Sequence, residues 1–460
     1  MSFKPVSSPV KVPVSSPVKV PVSSPVKVYT RCTIRVWVCM SDYLPRLIDN
    51  LLKDELRLFG ATVIIGPKWC GKTTTAKQLA KSVISLQDKK QYNRYRNIAN
   101  LDPSLLLKGE NPVLIDEWQM IPEIWDSIRY NIDERNEYNL FILTGSNTIG
   151  VDLIGHSGAG RISRIYMRTM SLYESNQSTG EISLESLFNG NEKISGMSEL
   201  EMEDVARILV RGGWPATINL NDADAHKVIA AYCTTITETE IKTIDGKNRD
   251  SHKTRAILRS ISRNSATQAT VSTIHEDVTS QENISMNIKT LYDYIDALKR
   301  ICIIEDLPAW SPKLRSKTAV RSSDTRHLAD PAIAAYFLDA SAEDLLYDPN
   351  TFGLLFESMA IRDLRVYAQI LNGNVYHYRD EDGLEVDAIV HIWGGKWGAI
   401  EIKLNDSWAD EAADNLLKLK NKIDSKHMNS PSFLAVVTAT GSAYTRKDGV
   451  HVIPITCLKN

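Results

Sequence analysis

From Ala61 to about Tyr173, short apolar runs (ATVIIG, NPVLIDE, NLFILTGS) are separated by longer stretches with helical spacing (TTTAKQLAKSV, IPEIWDSIRYNIDE). A run that is apolar at nearly every position suits a strand buried on both faces, and strands alternating with helices build a parallel sheet from βαβ units. Just upstream, MSDYLPRLIDNLLKDEL places Leu44, Leu47, Ile48, Leu51, Leu52 and Leu56 at helical spacing, predicting an amphipathic helix that leads into the first strand. Residues 174–250 read mostly helical, broken by the turn-like RGGWPA at 211–216. Residues 251–310 read as helix, helix, helix and then a short strand, ICIIEDL, an order that suits a winged-helix module. From 350 to 457 the pattern returns to α/β.

The first 39 residues follow no such pattern. Residues 5–28 repeat PVSSPVKV three times, and proline at this density denies the backbone both helix and ladder hydrogen bonds. The segment is expected to be extended and disordered, a tether or a dispensable extension, with Met40 as the natural beginning.

Composition narrows the picture only slightly. The chain has 460 residues, 43% hydrophobic and 24% charged, room for two to four domains and the balance of an ordinary soluble protein. A formal net charge of −2 gives no global basic field to attract nucleic acid or anionic lipid, so any such contact must be a local patch. The six cysteines (Cys32, Cys39, Cys70, Cys233, Cys302, Cys457) are scattered without the CxxC spacing of a zinc site. They read as reduced thiols in a cytoplasmic protein. No apolar run of 18 residues is present to span a bilayer.

The strongest chemical signal is Gly66-Pro67-Lys68-Trp69-Cys70-Gly71-Lys72-Thr73, which matches GxxxxGK[ST] at each fixed position and is followed by Thr74. Glycines let the loop turn its amides toward phosphate oxygens, Lys72 reaches the β and γ phosphates, and Thr73 offers a hydroxyl to Mg²⁺. Downstream, Val113-Leu114-Ile115-Asp116-Glu117 ends a buried-strand run in two carboxylates. Asp116 is the candidate Mg²⁺ ligand and Glu117 the candidate activator of the attacking water. Phe141–Ser146 supplies a third strand ending in hydroxyls, with Ser146 the first candidate for sensing the γ-phosphate and Thr144 the second, against a plain hydroxyl turn at a strand end. After Gly158-Ala159-Gly160, Arg161 and Arg164 are candidate arginine fingers, acting within one subunit or across a ring.

Together GPKWCGKTTTA, LIDEWQ, ILTGS, HSGAGRI, MSLYES, RGGWPA and EDLPAWSP resemble the predicted AAA+ ATPases of bacteria and archaea that carry a C-terminal domain of unknown function. The resemblance runs from about Met40 to the end. It implies ATP and Mg²⁺ as cofactors, an AAA-type core and a winged-helix segment, and supplies no substrate.

Near the C-terminus, LEVDAIV carries Asp387, a glycine turn follows at Gly394-Gly395, and WGAIEIKL carries Glu401 and Lys403 two residues apart on one strand face. A hairpin would set Asp387 beside them, and an upstream helix carries Glu357. The set resembles the PD-(D/E)xK nuclease core, which implies Asp387, Glu401 and Glu357 as metal ligands and Lys403 as the residue that orients or activates water. An exposed cross-strand ion pair is the plainer reading of Glu-x-Lys. For DNA, the candidate surfaces are the helix Ile288–Ile301, with Lys289, Tyr292, Lys299 and Arg300 among Asp293 and Asp296, and the basic loop with Lys313, Arg315, Lys317 and Arg321. Packing between domains is an equal reading of that helix.

The expected organisation is a repeat over 1–39, an α/β P-loop ATPase core over 40–173, a helical connector over 174–250, a winged-helix-like module over 251–330 and a nuclease-like α/β domain over 331–460. The expected function is MgATP hydrolysis coupled to the C-terminal module, with DNA, a protein partner or further copies of the chain as partners. The alternative is a nucleotide-gated protein-binding switch whose nuclease-like fold cuts nothing.

Overall fold

The computed structural model describes residues 43–146, 157–190, 194–312, 323–423 and 428–460. The Pro-Val repeat and the basic loop at 313–321 lie outside these residues, as does His156, the first residue of the run HSGAGRI.

The first layer is a parallel five-stranded sheet built from β1 (Ala61–Ile65), β2 (Ser82–Ser85), β3 (Val113–Asp116), β4 (Phe141–Gly145) and β5 (Ile162–Tyr166). The strand order is β2-β3-β4-β1-β5, so β4 stands between the strand that leads into the glycine loop and the strand that ends in the acids. Both faces are covered, which explains the unbroken apolar runs. Val63, Phe141 and Leu143 pack against the helix Ile124–Arg135, while Ile64, Leu114 and Ile142 pack against the helix Ile48–Leu58.

Two expectations need correction. The stretch TTTAKQLAKSV is not one helix: the helix covers only Lys72–Lys77, and Ser82–Ser85 forms the edge strand β2, paired with β3. β-branched Val83 and Ile84 favour a strand and find a ladder in β3. Residues 162–166 form β5, which sequence patterning did not single out as a strand.

The middle of the chain is helical as expected, with helices at Leu184–Asn189, Met202–Arg211 and Asp222–Thr235, the last running into a π-helical turn at Ile236–Glu240. Two short strands also occur there, β6 (Ile182–Ser183) and β7 (Gly196–Met197). Three helices follow at Ser251–Arg263, Val271–Ser280 and Ile288–Arg300. The expected strand ICIIEDL is reduced to two antiparallel bridges, Ile304 to Leu328 and Leu307 to Thr325.

The C-terminal layer begins with the long helix Pro349–Ile370. It continues through β8 (Gly373–Arg379), β9 (Glu385–Ile392), β10 (Lys396–Lys403), the helix Ala409–Lys422, β11 (Phe433–Thr438), β12 (Ser442–Thr445), β13 (His451–Pro454) and β14 (Leu458–Lys459). The sheet order is β7-β12-β13-β11-β10-β9-β8, with β8, β9 and β10 antiparallel and β10, β11 and β13 parallel. β6 pairs with β14 and β7 with β12, so the helical connector and the C-terminal sheet share one hydrophobic core reaching from Leu172 to Leu458. The protein is thus mixed α/β, a parallel-sheet P-loop core followed by helical and α/β segments. Among the described residues no helix is long and apolar enough to cross a membrane.

Candidate nucleotide site and a second acidic cluster

β1 ends at Ile65 and the chain turns through Gly66–Gly71 into the helix that starts at Lys72. Gly66 admits no side chain, since a Cβ there would lie 2.0 Å from the Met167 carbonyl oxygen, and Gly71 takes a positive φ of 110°. Lys72 is buried, and its ammonium donates to the carbonyls of Gly66 and Pro67, each at 2.9 Å. The loop's signature cation is thus folded over the turn that would cradle phosphates. Thr74 is exposed, and the buried Cys70 thiol donates to the Met167 carbonyl at 3.4 Å, the setting of a structural loop residue.

The strand order brings the remaining candidates to this loop. Asp116 ends β3, and its Oδ1 accepts from the hydroxyls of Thr73 at 2.5 Å and Thr144 at 2.6 Å, with Ser85 at 3.4 Å from Oδ2. A hydroxyl and a carboxylate in direct contact are hard oxygen donors of the kind Mg²⁺ takes, so these residues fit the ion. Glu117 adopts a left-handed conformation (φ 55°) just past the strand, and its carboxylate is buried. That carboxylate accepts from Ser146 at 3.1 Å and from the Gln119 amide, and its own N–H donates to Thr144 Oγ1 at 3.3 Å. Thr144 therefore serves Asp116 while Ser146 serves Glu117, a division that the sequence ranking of the two hydroxyls did not foresee.

Arg161 is not brought to the site. It precedes β5 at the end paired with Ala61, and the loop follows Ile65 at the opposite end, roughly 15 Å along the strands. Its guanidinium pairs with Asp133. Arg164 is exposed on β5, above the Trp125 ring.

Behind the loop stand residues that sequence reasoning missed. Arg46, 3% exposed, donates to the Cys70 carbonyl at 2.7 Å and the Arg168 carbonyl at 2.9 Å, and pairs with Glu174 at 3.0 Å. Trp214 of the RGGWPA turn donates its indole N–H to the Lys68 carbonyl at 3.1 Å. The Lys68 ammonium meets Glu240 at 2.6 Å, and the Trp69 ring lies 6.0 Å from that of Tyr232. The signals available in sequence were the runs MSLYES and RGGWPA, which pointed to a family without naming a contact.

The second cluster forms at the β9–β10 hairpin. Asp387 Oδ2 accepts from the Ile402 N–H at 2.7 Å and from Lys403 at 3.3 Å, and Lys403 also meets Glu401 at 2.7 Å. The hairpin thus places Asp387 beside Glu-x-Lys. Burial and then the charge of Asp387 push the Glu401 carboxyl up to about 8, and the same two causes hold half-buried Glu357 well above the usual carboxylate range. Desolvation opposes the Lys403 charge, yet Asp387 and Glu401 raise its ammonium above the ordinary lysine value. The three carboxylates, Glu357, Asp387 and Glu401, are near enough to repel one another, yet among the described residues no three acidic, His or Cys side chains are disposed to hold one ion. Lys403 bridges two of them instead.

On the helix Ile288–Arg300 the basic groups are partly used within the fold. Lys299 pairs with Asp306 at 2.7 Å, and Asp293 pairs with Lys247 at 2.5 Å and Arg249 at 3.1 Å. Leu291, Tyr294, Ile295 and Leu298 are buried, leaving Tyr292 as the exposed aromatic.

Comparison with known families matches residues 59–176 to the family described as AAA domain. Residues 202–344 match a domain of unknown function (DUF8612), and residues 352–458 match another (DUF4143). No curated protein matches the chain. Among solved structures, the chain is similar to a Walker-type ATPase of Pyrococcus abyssi at 16% identity, covering 63% of this chain and 94% of that one, with a TM-score of 0.39. It is also similar to a DNA replication initiation factor at 16% identity, covering 56% and 93%, with a TM-score of 0.25. The FIGL-1 AAA domain in complex with ADP matches at 15% identity, covering 56% and 86%, with a TM-score of 0.23. The glycine loop, Asp116, Glu117 and Ser146 all lie within the segment that matches the AAA domain family.

Proposed function

We propose that the protein binds and hydrolyses MgATP at the Gly66–Thr73 loop. The observation that carries this reading is the meeting of Thr73, Asp116 and Thr144 at one carboxylate oxygen beside a phosphate loop, with Glu117 next in the chain. Lys72 leaves the Gly66 and Pro67 carbonyls for the β and γ phosphates, and the loop amides cradle the rest. Thr73 and Asp116 would hold Mg²⁺, which would supply positive charge to neutralise the phosphates. Glu117, positioned by Ser146 and Gln119, takes a proton from the attacking water. Lys72→Ala should abolish ATP turnover, and persistent turnover would remove the site assignment. Glu117→Gln should keep ATP binding while lowering turnover by roughly 10²–10⁴-fold.

A second reading concerns the C-terminal module, and the convergence of Asp387, Glu401 and Lys403 favours it. It is a PD-(D/E)xK-like cluster in which Asp387 and Glu401 would bind a divalent ion, with Glu357 behind them and Lys403 orienting water. One or two carboxylates suffice for Mg²⁺. The helices at 251–300 with the bridges at Ile304 and Leu307 would form the winged-helix module that positions DNA. An arginine-finger role leaves Arg161 only the ATP of a neighbouring copy, in a homo-oligomer. Cleavage of DNA with Mg²⁺ or Mn²⁺, lost in Asp387→Ala, is the expected result. No cleavage under any nucleotide condition leaves the module as a protein-binding switch driven by the ATPase.

A further inference from the structure

Lys68 is a second cation in the phosphate loop, four residues before Lys72, and the mechanism above gives it no task. Its backbone is pinned, because Trp214 donates its indole N–H to the Lys68 carbonyl. Its side chain is 41% exposed and ends on Glu240, which is 17% exposed. The cation is therefore anchored at its root and half-exposed at its tip, where a single carboxylate holds it. Lys72 by contrast is buried and turned onto the loop carbonyls.

Glu240 closes the π-helical turn Ile236–Glu240 that extends the helix Asp222–Thr235. Such turns are energetically unfavourable inserts that recur at functional sites. The same helix supplies Tyr232, whose ring lies 4.7 Å from Trp214 and 6.0 Å from Trp69. One helix thus touches consecutive residues of the loop, by charge at Lys68 and by ring contact at Trp69.

We propose that Lys68 discriminates ATP from ADP by exchanging Glu240 for the γ-phosphate, so that the π-helical turn is held to the loop without ATP and freed with it. This rests on the nucleotide site proposed above. The charges decide the direction. A γ-phosphate carries more negative charge than one carboxylate, and its oxygens arrive in the loop that carries Lys68. ADP offers no group at that position, so the Glu240 pair persists. No bond is made or broken in the exchange.

The test is equilibrium binding of ATP and ADP, both with Mg²⁺, to the full chain and to Lys68→Gln, Glu240→Gln and the double variant. Lys68→Gln should weaken ATP about tenfold and leave ADP within about twofold, the size of one charge-assisted contact. Glu240→Gln should tighten ATP severalfold by removing the competitor, and the double variant should behave as Lys68→Gln. Amide hydrogen exchange over 236–240 should rise with ATP over ADP in the unaltered chain and not in Lys68→Gln. Equal weakening of both nucleotides in Lys68→Gln would make Lys68 a structural residue and overturn the proposal, as would an unchanged ATP-to-ADP ratio. If the unaltered chain binds neither nucleotide, the ATPase reading falls as well, so the two failures are distinguishable.

Discussion

Asp330→Ala should be among the most damaging single changes away from the nucleotide loop. The side chain is fully buried and precedes the helix Pro331–Phe337, which its Oδ1 caps through the Ala332 N–H at 3.0 Å. Its Oδ2 accepts from the Thr169 hydroxyl at 2.6 Å, the Gly213 N–H at 3.0 Å and Arg362 at 3.0 Å. Those donors belong to the segment after β5, to the RGGWPA turn and to the long C-terminal helix. Alanine takes the acceptor from the Thr169, Gly213 and Ala332 donors and one partner from Arg362, and a buried donor without an acceptor costs roughly 1–3 kcal/mol. Arg362 keeps Asp363 at 2.7 Å, so it loses one partner of two. Because the donors share one site their losses are not additive, and the sum is about 4–6 kcal/mol, a large part of an ordinary stability. Asp330→Asn retains one acceptor oxygen and should cost about half as much, roughly 2–3 kcal/mol. The assay is urea unfolding by far-ultraviolet circular dichroism, with limited proteolysis at residues 211–216 reporting on the turn. If alanine costs less than about 1 kcal/mol, or no more than asparagine, the four-donor account is wrong.

Three further outcomes are expected. Arg46→Met leaves Glu174 buried without its cation and the Cys70 carbonyl without its donor, and should lower stability by about 3–5 kcal/mol in thermal unfolding while weakening ATP binding. Gly66→Ala drives a methyl into the Met167 carbonyl, so nucleotide binding should be lost while circular dichroism stays near normal. Burial lifts the Asp363 carboxyl to about 6 against the pull of Arg362. The folded protein then holds that proton more tightly than the unfolded chain does, so this group's contribution is full below about pH 4. It is lost as pH rises through about 6, by roughly 2–3 kcal/mol, and urea midpoints in Asp363→Asn should lack that slope.

What the sequence made legible was local. The phosphate loop is legible because glycine, lysine and threonine must follow one another at fixed spacing to do their work. Asp116-Glu117 is legible as a strand exit. The hairpin carrying Asp387, Glu401 and Lys403 follows from a two-residue period on either side of Gly394 and Gly395, both at positive φ. What stayed hidden depends on partners far along the chain. Arg46 finds Glu174 across 128 residues, Lys68 finds Glu240 across 172, and Thr169 finds Asp330 across 161. No local pattern encodes such pairs. The split of TTTAKQLAKSV into helix and strand was hidden for a related reason, since Ser82–Ser85 becomes a strand only because β3 lies beside it.

These distant contacts share a geometry that local motifs do not reveal. Gly213 and Trp214 are adjacent in the RGGWPA turn, yet they face different parts of the protein. Trp214 holds the phosphate loop at Lys68, and Gly213 holds Asp330. Asp330 in turn grips Arg362, five residues along the same helix from Glu357. Two consecutive residues and one carboxylate thus connect the Lys68 main chain to the helix that packs against β9 and β10. Every link is buried or hydrogen-bonded, and packed interiors resist gradual deformation. A shift at one end must be accommodated by breaking a named contact or by moving the next element. If the Gly66–Thr73 loop acts on the Asp387–Lys403 cluster, as the proposed function requires, these contacts are the route by which it would do so.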